Sequence, residues 1–169
     1  MASLFKIYLT TSSLSLALIV FAIKNNKYLY YDFASYFAYC LGALLFARVG
    51  LFLTQFLSND SIEQGSIESI EPANDSFLPS YLGYFFVALS INDVEVFCWV
   101  FGLIFIFIFY SKISYFNPIF FILGYNFYYL VNNNRVKILV ITKRELKKPS
   151  DVEFETIKRI NNYTFINKE

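Results

Sequence analysis

Four stretches with almost no charge lie between Lys6 and Lys112, and only beyond them does the chain turn basic and break into short runs. That order predicts several membrane-spanning helices followed by a small tail domain. Hydrophobic residues make up 57% of the 169 positions and mean hydropathy is positive, outside the range usual for a soluble domain of this length. Aromatics reach 21%, with 21 Phe and 14 Tyr, which suits lipid-facing helices with rings at the interfaces.

The first stretch, residues 7–23, would rise about 26 Å as a helix, close to a hydrocarbon core of about 30 Å. No small-x-small cleavage site appears before Lys24, so a retained anchor is expected rather than a signal peptide. The second, residues 33–57, is broken only by Arg48, and the fourth, residues 96–111, is the most hydrophobic. The third, residues 77–91, holds Pro79, Ser80, Gly83 and Ser90 and admits two readings. If it spans, residues 92–95 turn into the fourth helix, giving four spans with both termini inside. If it lies on the surface, there are three spans and the N-terminus is outside. The expected fold is an α-helical polytopic membrane protein with four transmembrane helices, three being the alternative, and a small C-terminal α+β domain. The transmembrane domain takes residues 1–111 and the tail residues 112–169.

Charge is segregated. From Lys112 onward there are ten Lys or Arg against five Asp or Glu, and before it four against eight. Basic residues beside a span resist translocation, which places the tail in the cytoplasm under either span count. Residues 58–76 hold five acidic residues and no basic one, and are expected to form a flexible linker, with docking of a basic partner as the functional alternative.

The tail reads as a hairpin. Residues 119–131 and 135–143 are rich in aromatic and β-branched residues and flank Asn132, Asn133 and Asn134. Gly124 is expected as a bulge in the first strand, residues 151–160 as a helix capped by Asp151, and residues 163–166 as a short last strand.

Histidine is absent, and Cys40 and Cys98 both lie in hydrophobic runs, which removes the common metal sites, the His-based nucleophile systems and any disulfide framework. No phosphate loop, dinucleotide fingerprint or nucleophile elbow occurs, so neither enzyme activity nor a cofactor is expected. Arg48 is the one charge inside a strong span and costs about 2.5–3.5 kcal/mol near a helix centre, so it is expected to face protein or water, with Asp32, Asp93 or Glu95 as partners, or else to snorkel. Ala38, Gly42, Ala43, Ala47 and Gly50 place small residues on one helix and suggest a packing seam, within the chain or between copies. Lys143, Arg144, Lys147 and Lys148 form a basic knot before Pro149. With Lys158 and Arg159 they are the candidate contacts for a partner or for anionic lipid, the alternative being a solvated turn.

Tyr115-Phe116-Asn117-Pro118, Gly124 to Tyr128, Ile138 to Lys143 and Lys158 to Ile166, together with the layout of spans followed by a short tail, resemble the KwaA membrane subunits of bacterial Kiwa antiphage defence systems. The resemblance implies a non-enzymatic protein of the bacterial inner membrane. It would oligomerise, sense infection at the envelope and recruit a cytoplasmic DNA-binding partner, KwaB; the basic knot itself, with no stacking aromatics woven among its charges, is not expected to read nucleic-acid sequence. The rival function is a small pore former that depolarises the cell.

Overall fold

The computed structural model describes residues 2–25, 32–111 and 117–168. Helix α1 (Ala2–Lys24) and helix α2 (Asp32–Leu53) are the two helices long and apolar enough to cross a bilayer. A single 3₁₀ turn, Thr54–Phe56, ends α2 before the chain enters β1 (Asn59–Ile62) and β2 (Ile67–Pro72). Helix α3 (Asn74–Ser90) follows β2 with only Ala73 between them, and α4 (Val94–Tyr110) returns after a tight turn. Asp93 caps α4 by accepting from the Val96 amide at 2.9 Å, so the polar break at residues 92–95 is the expected turn. The apolar part of α3, Tyr81–Ser90, and the whole of α4 are shorter than the first two helices.

The tail contributes α5 (Pro118–Ile122), β3 (Asn126–Asn132), β4 (Lys137–Thr142), β5 (Phe154–Asn161) and β6 (Thr164–Ile166). The six strands form one sheet in the order β1-β5-β6-β4-β3-β2, antiparallel except for β4 against β6. Strands β1 and β2 sit at opposite edges yet are joined by only four residues. Five Cα–Cα steps reach at most about 19 Å. A flat six-stranded sheet is about 24 Å wide. The sheet must therefore curl until its edges approach. The closing turn is fastened on both sides: Gln64 donates to the Ser150 carbonyl at 3.2 Å, Asn133 donates to the Gly65 carbonyl at 3.1 Å, and Gly65 takes a φ of 77° that favours glycine.

Curling gives the sheet two buried faces. Tyr128, Leu130, Val140, Ile157 and Phe165 fill the concave side with Leu146 and Val152. Phe127, Leu139, Ile141, Ile160 and Ile166 face the helices, packing with Ile119 and Phe120 of α5 and with Phe5, Leu9, Ala43, Ala47 and Tyr81. Burial on both faces explains why β4 reads as a continuous apolar run.

Four expectations are corrected. The acidic linker is structured: its isoleucines, Ile62 and Ile67, turn into the concave core while Glu63, Glu68 and Glu71 are exposed, the usual protection of an exposed sheet edge. Residues 119–131 are not one strand, because Asn117 caps α5 with Pro118 in its first turn. Gly124 is accordingly the left-handed residue, φ 82°, that ends this helix rather than a bulge. Residues 151–160 are a 3₁₀ turn and strand β5, not a helix capped by Asp151. Phe154, Ile157 and Ile160 are spaced by three, which imitates a helical stripe; irregular register against β1 puts Phe154 and Ile157 on the concave face, while Ile160 faces the helices, and burial on both faces makes that spacing possible in a strand.

The helices also carry large apolar side chains outward. On α2, Phe33, Phe37, Leu45 and Phe52 are each more than half exposed, and on α4 so are Trp99, Leu103, Phe107 and Tyr110. Contiguous apolar surface of this extent marks a membrane or protein interaction face.

Candidate functional site

The bundle and the sheet meet at a junction held by three polar fastenings. The first begins with Thr10-Thr11-Ser12-Ser13, a polar run inside an apolar helix. Thr10 and Ser13 return their hydroxyls to backbone carbonyls one turn back, at 3.0 and 2.8 Å. Ser13 also hydrogen-bonds the buried Tyr81 of α3. Ser12 is left facing the tail, where the Asn117 amide donates to its oxygen at 2.7 Å. Both residues are buried, and Asn117 uses its side-chain oxygen to accept the Ile119 amide at 3.0 Å, so one side chain caps α5 and ties it to α1.

The second fastening is Lys158. Its ammonium donates to the Gln55 and Leu57 carbonyls at 3.2 and 3.3 Å and to the Asn59 side chain at 2.6 Å. These acceptors lie just past the end of α2, where unpaired carbonyls and the helix dipole favour a cation. Lys158 therefore clamps β5 to α2. The third lies at the β2–α3 connection: the Ala73 amide donates to the Phe127 carbonyl at 2.8 Å, and the Phe127 amide donates to Asn74 at 3.2 Å. At the opposite end of the bundle Lys24 donates to the carbonyls of Leu89 and Ile91, capping α3.

The candidate residues on α2 separate. Gly50 is in the α1–α2 contact: a Cβ there would stand 2.6 Å from the Tyr8 ring, whose hydroxyl donates to the Phe46 carbonyl. Ala43 and Ala47 are buried on the same side. Gly42 has open space around it and Ala38 is exposed, so the structure uses only part of the small-residue set inside the chain. Arg48 faces outward from α2, and no ion pair involves it among the described residues. Asp93 is occupied as the α4 cap, and the Asp32 side chain lies outside the described residues.

The basic tail residues also separate. Lys143 sits over the Tyr125 ring at 5.2 Å, on the side of the sheet that meets the helices. Arg144 stacks over Phe154 at 5.0 Å and donates to the Glu153 carbonyl at 2.7 Å. It lines an open polar pocket of about 410 Å³ with Gln64, Asp151, Glu153 and Glu155 on the far side. Arg159 bonds Asn162 at 2.9 Å and approaches Asp60 at 3.9 Å. Lys147 pairs with Glu145 at 3.6 Å and, like Lys148, is exposed. Burial raises the hydroxyl pKa of Tyr125 and, against the opposing charge of Lys137, that of Tyr129.

A family model describing the anti-phage protein KwaA matches residues 5–166, from the first turns of α1 to the end of β6. The chain belongs to the KwaA family. Its role is accordingly in defence against phage, and the match takes in the helices, the acidic segment and the tail together. No curated protein and no solved structure matches it. Of the junction residues of this KwaA family member, Ser12 and Tyr81 were not singled out from sequence, although the Thr10–Ser13 run was the available signal, and Asn117 was named only among the residues that carry the family resemblance, not as a contact to α1.

Proposed function

We propose that this KwaA family member is a non-enzymatic, multi-pass protein of the bacterial inner membrane that senses infection and serves as the docking platform for a cytoplasmic, DNA-binding defence partner. Four spans with both termini inside, and assembly into a homo-oligomer, belong to the same reading. The observation that carries it is the mixed origin of the sheet: β1 and β2 precede the α3–α4 pair, and β3 to β6 follow it. Strands that pair directly lie on one side of a membrane. A chain in which α3 and α4 both cross meets that condition, whereas the three-span alternative would hold β1 and β2 apart from their neighbours. The apolar side chains turned outward along α4 favour its crossing. The excess of basic residues from Lys112 onward favours the cytoplasm for the sheet.

The three fastenings give this reading a mechanism. A change in bundle packing moves α1, α2 or α3, and each is tied to the sheet by a named contact, so the platform moves with the bundle. For this to act as a switch the trigger must bind or favour one packing over the other.

Reporter fusions in the Gly65–Ser66 turn and at the C-terminus test the topology; both are expected to report cytoplasm, and opposite sides would overturn it. Phage protection by the chain together with the product of its neighbouring gene, with co-purification of the two, tests the platform. Protection by the chain alone, accompanied by ion leakage, would replace the platform with a pore.

A further inference from the structure

The side of the sheet that meets the helices is apolar at its centre and cationic along one rim. Alternation along β4 puts Leu139, Ile141 and, one position past the strand, Lys143 on that side. Ile141 lies beside Ile166 of β6, and Ile166 opposite Lys158 of β5. The Asn167 amide donates to the Ile141 carbonyl at 2.8 Å, which extends the β4–β6 contact one residue past Ile166, so the chain enters Lys168 from the end of β4 that leads into Lys143. Burial, and then repulsion from Lys158, lower the Lys168 pKa, so Lys158 and Lys168 are near enough for their charges to interact.

Lys158 on β5, Lys168 two residues past β6 and Lys143 one residue past β4 thus border one end of three neighbouring strands. A fourth cation on this face, Lys137, is matched by Glu71 at 2.8 Å, but among the described residues no carboxylate lies within ion-pair distance of Lys143, Lys158 or Lys168. These three lie along the helix ends. Lys158 holds the carbonyls just past α2, beside Phe52 and Phe56, each 61% exposed. Lys143 lies over Tyr125, close after α5, whose Ile122 is 68% exposed. Positive charge bordering outward apolar side chains is the arrangement that suits a headgroup layer.

We propose that Lys143, Lys158 and Lys168 bind the headgroups of anionic phospholipids and seat the sheet on the membrane surface at the end of α2. The proposal rests on the membrane reading above and adds a ligand class to it. It also divides the basic residues by face, leaving Arg144 and Arg159 to the side available for a protein partner. Lys158 has all three N–H groups engaged and supplies charge, while Lys143 and Lys168 supply donors.

The test is native mass spectrometry of the full chain released from membranes of mixed phosphatidylglycerol and phosphatidylcholine. Phosphatidylglycerol is expected to be retained preferentially. The preference should fall about fivefold for each charge removed in Lys143→Gln and Lys168→Gln, both exposed positions. Lys147→Gln with Lys148→Gln should leave it unchanged. Equal retention of the two lipids by the wild type, or an equal loss in the Lys147 and Lys148 variant, overturns the lipid site alone. Recovery of the chain outside the membrane fraction overturns the membrane reading as well.

Discussion

Asn117 donates to Ser12 across 105 residues of sequence, at 2.7 Å and within the buried interior. Polar groups in such a place persist when every donor and acceptor is met, and here one amide side chain closes both ends: its oxygen caps α5 and its nitrogen reaches α1. The tail is therefore anchored in the bundle rather than hung beneath it.

Asn117→Ala should destabilise the fold by about 2 kcal/mol, combining a lost helix cap with a lost buried hydrogen bond. Ser12→Ala removes only the second. A double-mutant cycle on unfolding in detergent is expected to give a coupling of about 1 kcal/mol. Strictly additive losses would mean that the two side chains do not act together.

Gly50 and Gly42 should behave as opposites. At Gly50 an added methyl meets the Tyr8 ring at 2.6 Å, and that ring is held by its tilted contact with the Phe46 ring and its hydroxyl contact to the Phe46 carbonyl. Gly50→Ala is expected to cost about 1–3 kcal/mol through overpacking, measured by thermal unfolding. Gly42→Ala, into open space, should change stability by less than about 0.5 kcal/mol.

The contrast between these glycines also shows what sequence carries and what it leaves out. Helix positions, the α3–α4 turn and the Asn132–Asn134 hairpin follow from runs of like residues and local turn chemistry, both of which are short-range. Strands β1, β2 and β5 were hidden for two different reasons. The edges are too acidic to look buried, and Phe154, Ile157 and Ile160 imitate a helical spacing because a register irregularity against β1 sets the first two on one buried face while the third is buried on the other. Lys158 and Asn117 depend on partners about a hundred residues away, so their residue types were visible and their roles were not.

Tyr125 should give the sheet a measurable alkaline limit. Its folded pKa is raised by burial above the ordinary value of 10.0, so the unfolded chain loses this proton first. The stabilisation is fully present below about pH 10 and is lost as pH rises beyond it. Tyr125→Phe is expected to flatten the decline in unfolding midpoint as pH rises above about 10. A decline as steep as that of wild type would place the sensitivity elsewhere.

Arg48 lies outward on α2 with no carboxylate partner among the described residues, in a helix otherwise apolar on that side. If it meets a neighbouring copy, Arg48→Leu should preserve membrane insertion while reducing oligomer size and phage protection. Size-exclusion chromatography in detergent and a plaque assay read the two effects. An unchanged oligomer and full protection would assign Arg48 to snorkelling instead.

Lys158 and Arg159 are adjacent in sequence and should differ in consequence. Lys158 is half-buried and neutralises the open carbonyls past α2 with three donors, whereas Arg159 is exposed and its ion pair with Asp60 is stretched to 3.9 Å. Lys158→Met keeps the side chain's length and removes its donors, so it should cost about 1–2 kcal/mol. Arg159→Ala should cost at most about 1 kcal/mol, as exposed pairs do. Hydrogen exchange separates them further. Loss of the Lys158 clamp frees the start of β1, which pairs with Lys158 at Asn59, so exchange should accelerate there and after α2 while β3 and β4 stay protected. Acceleration spread evenly over the whole sheet would mean that Lys158 supports the general fold rather than the link between α2 and β5.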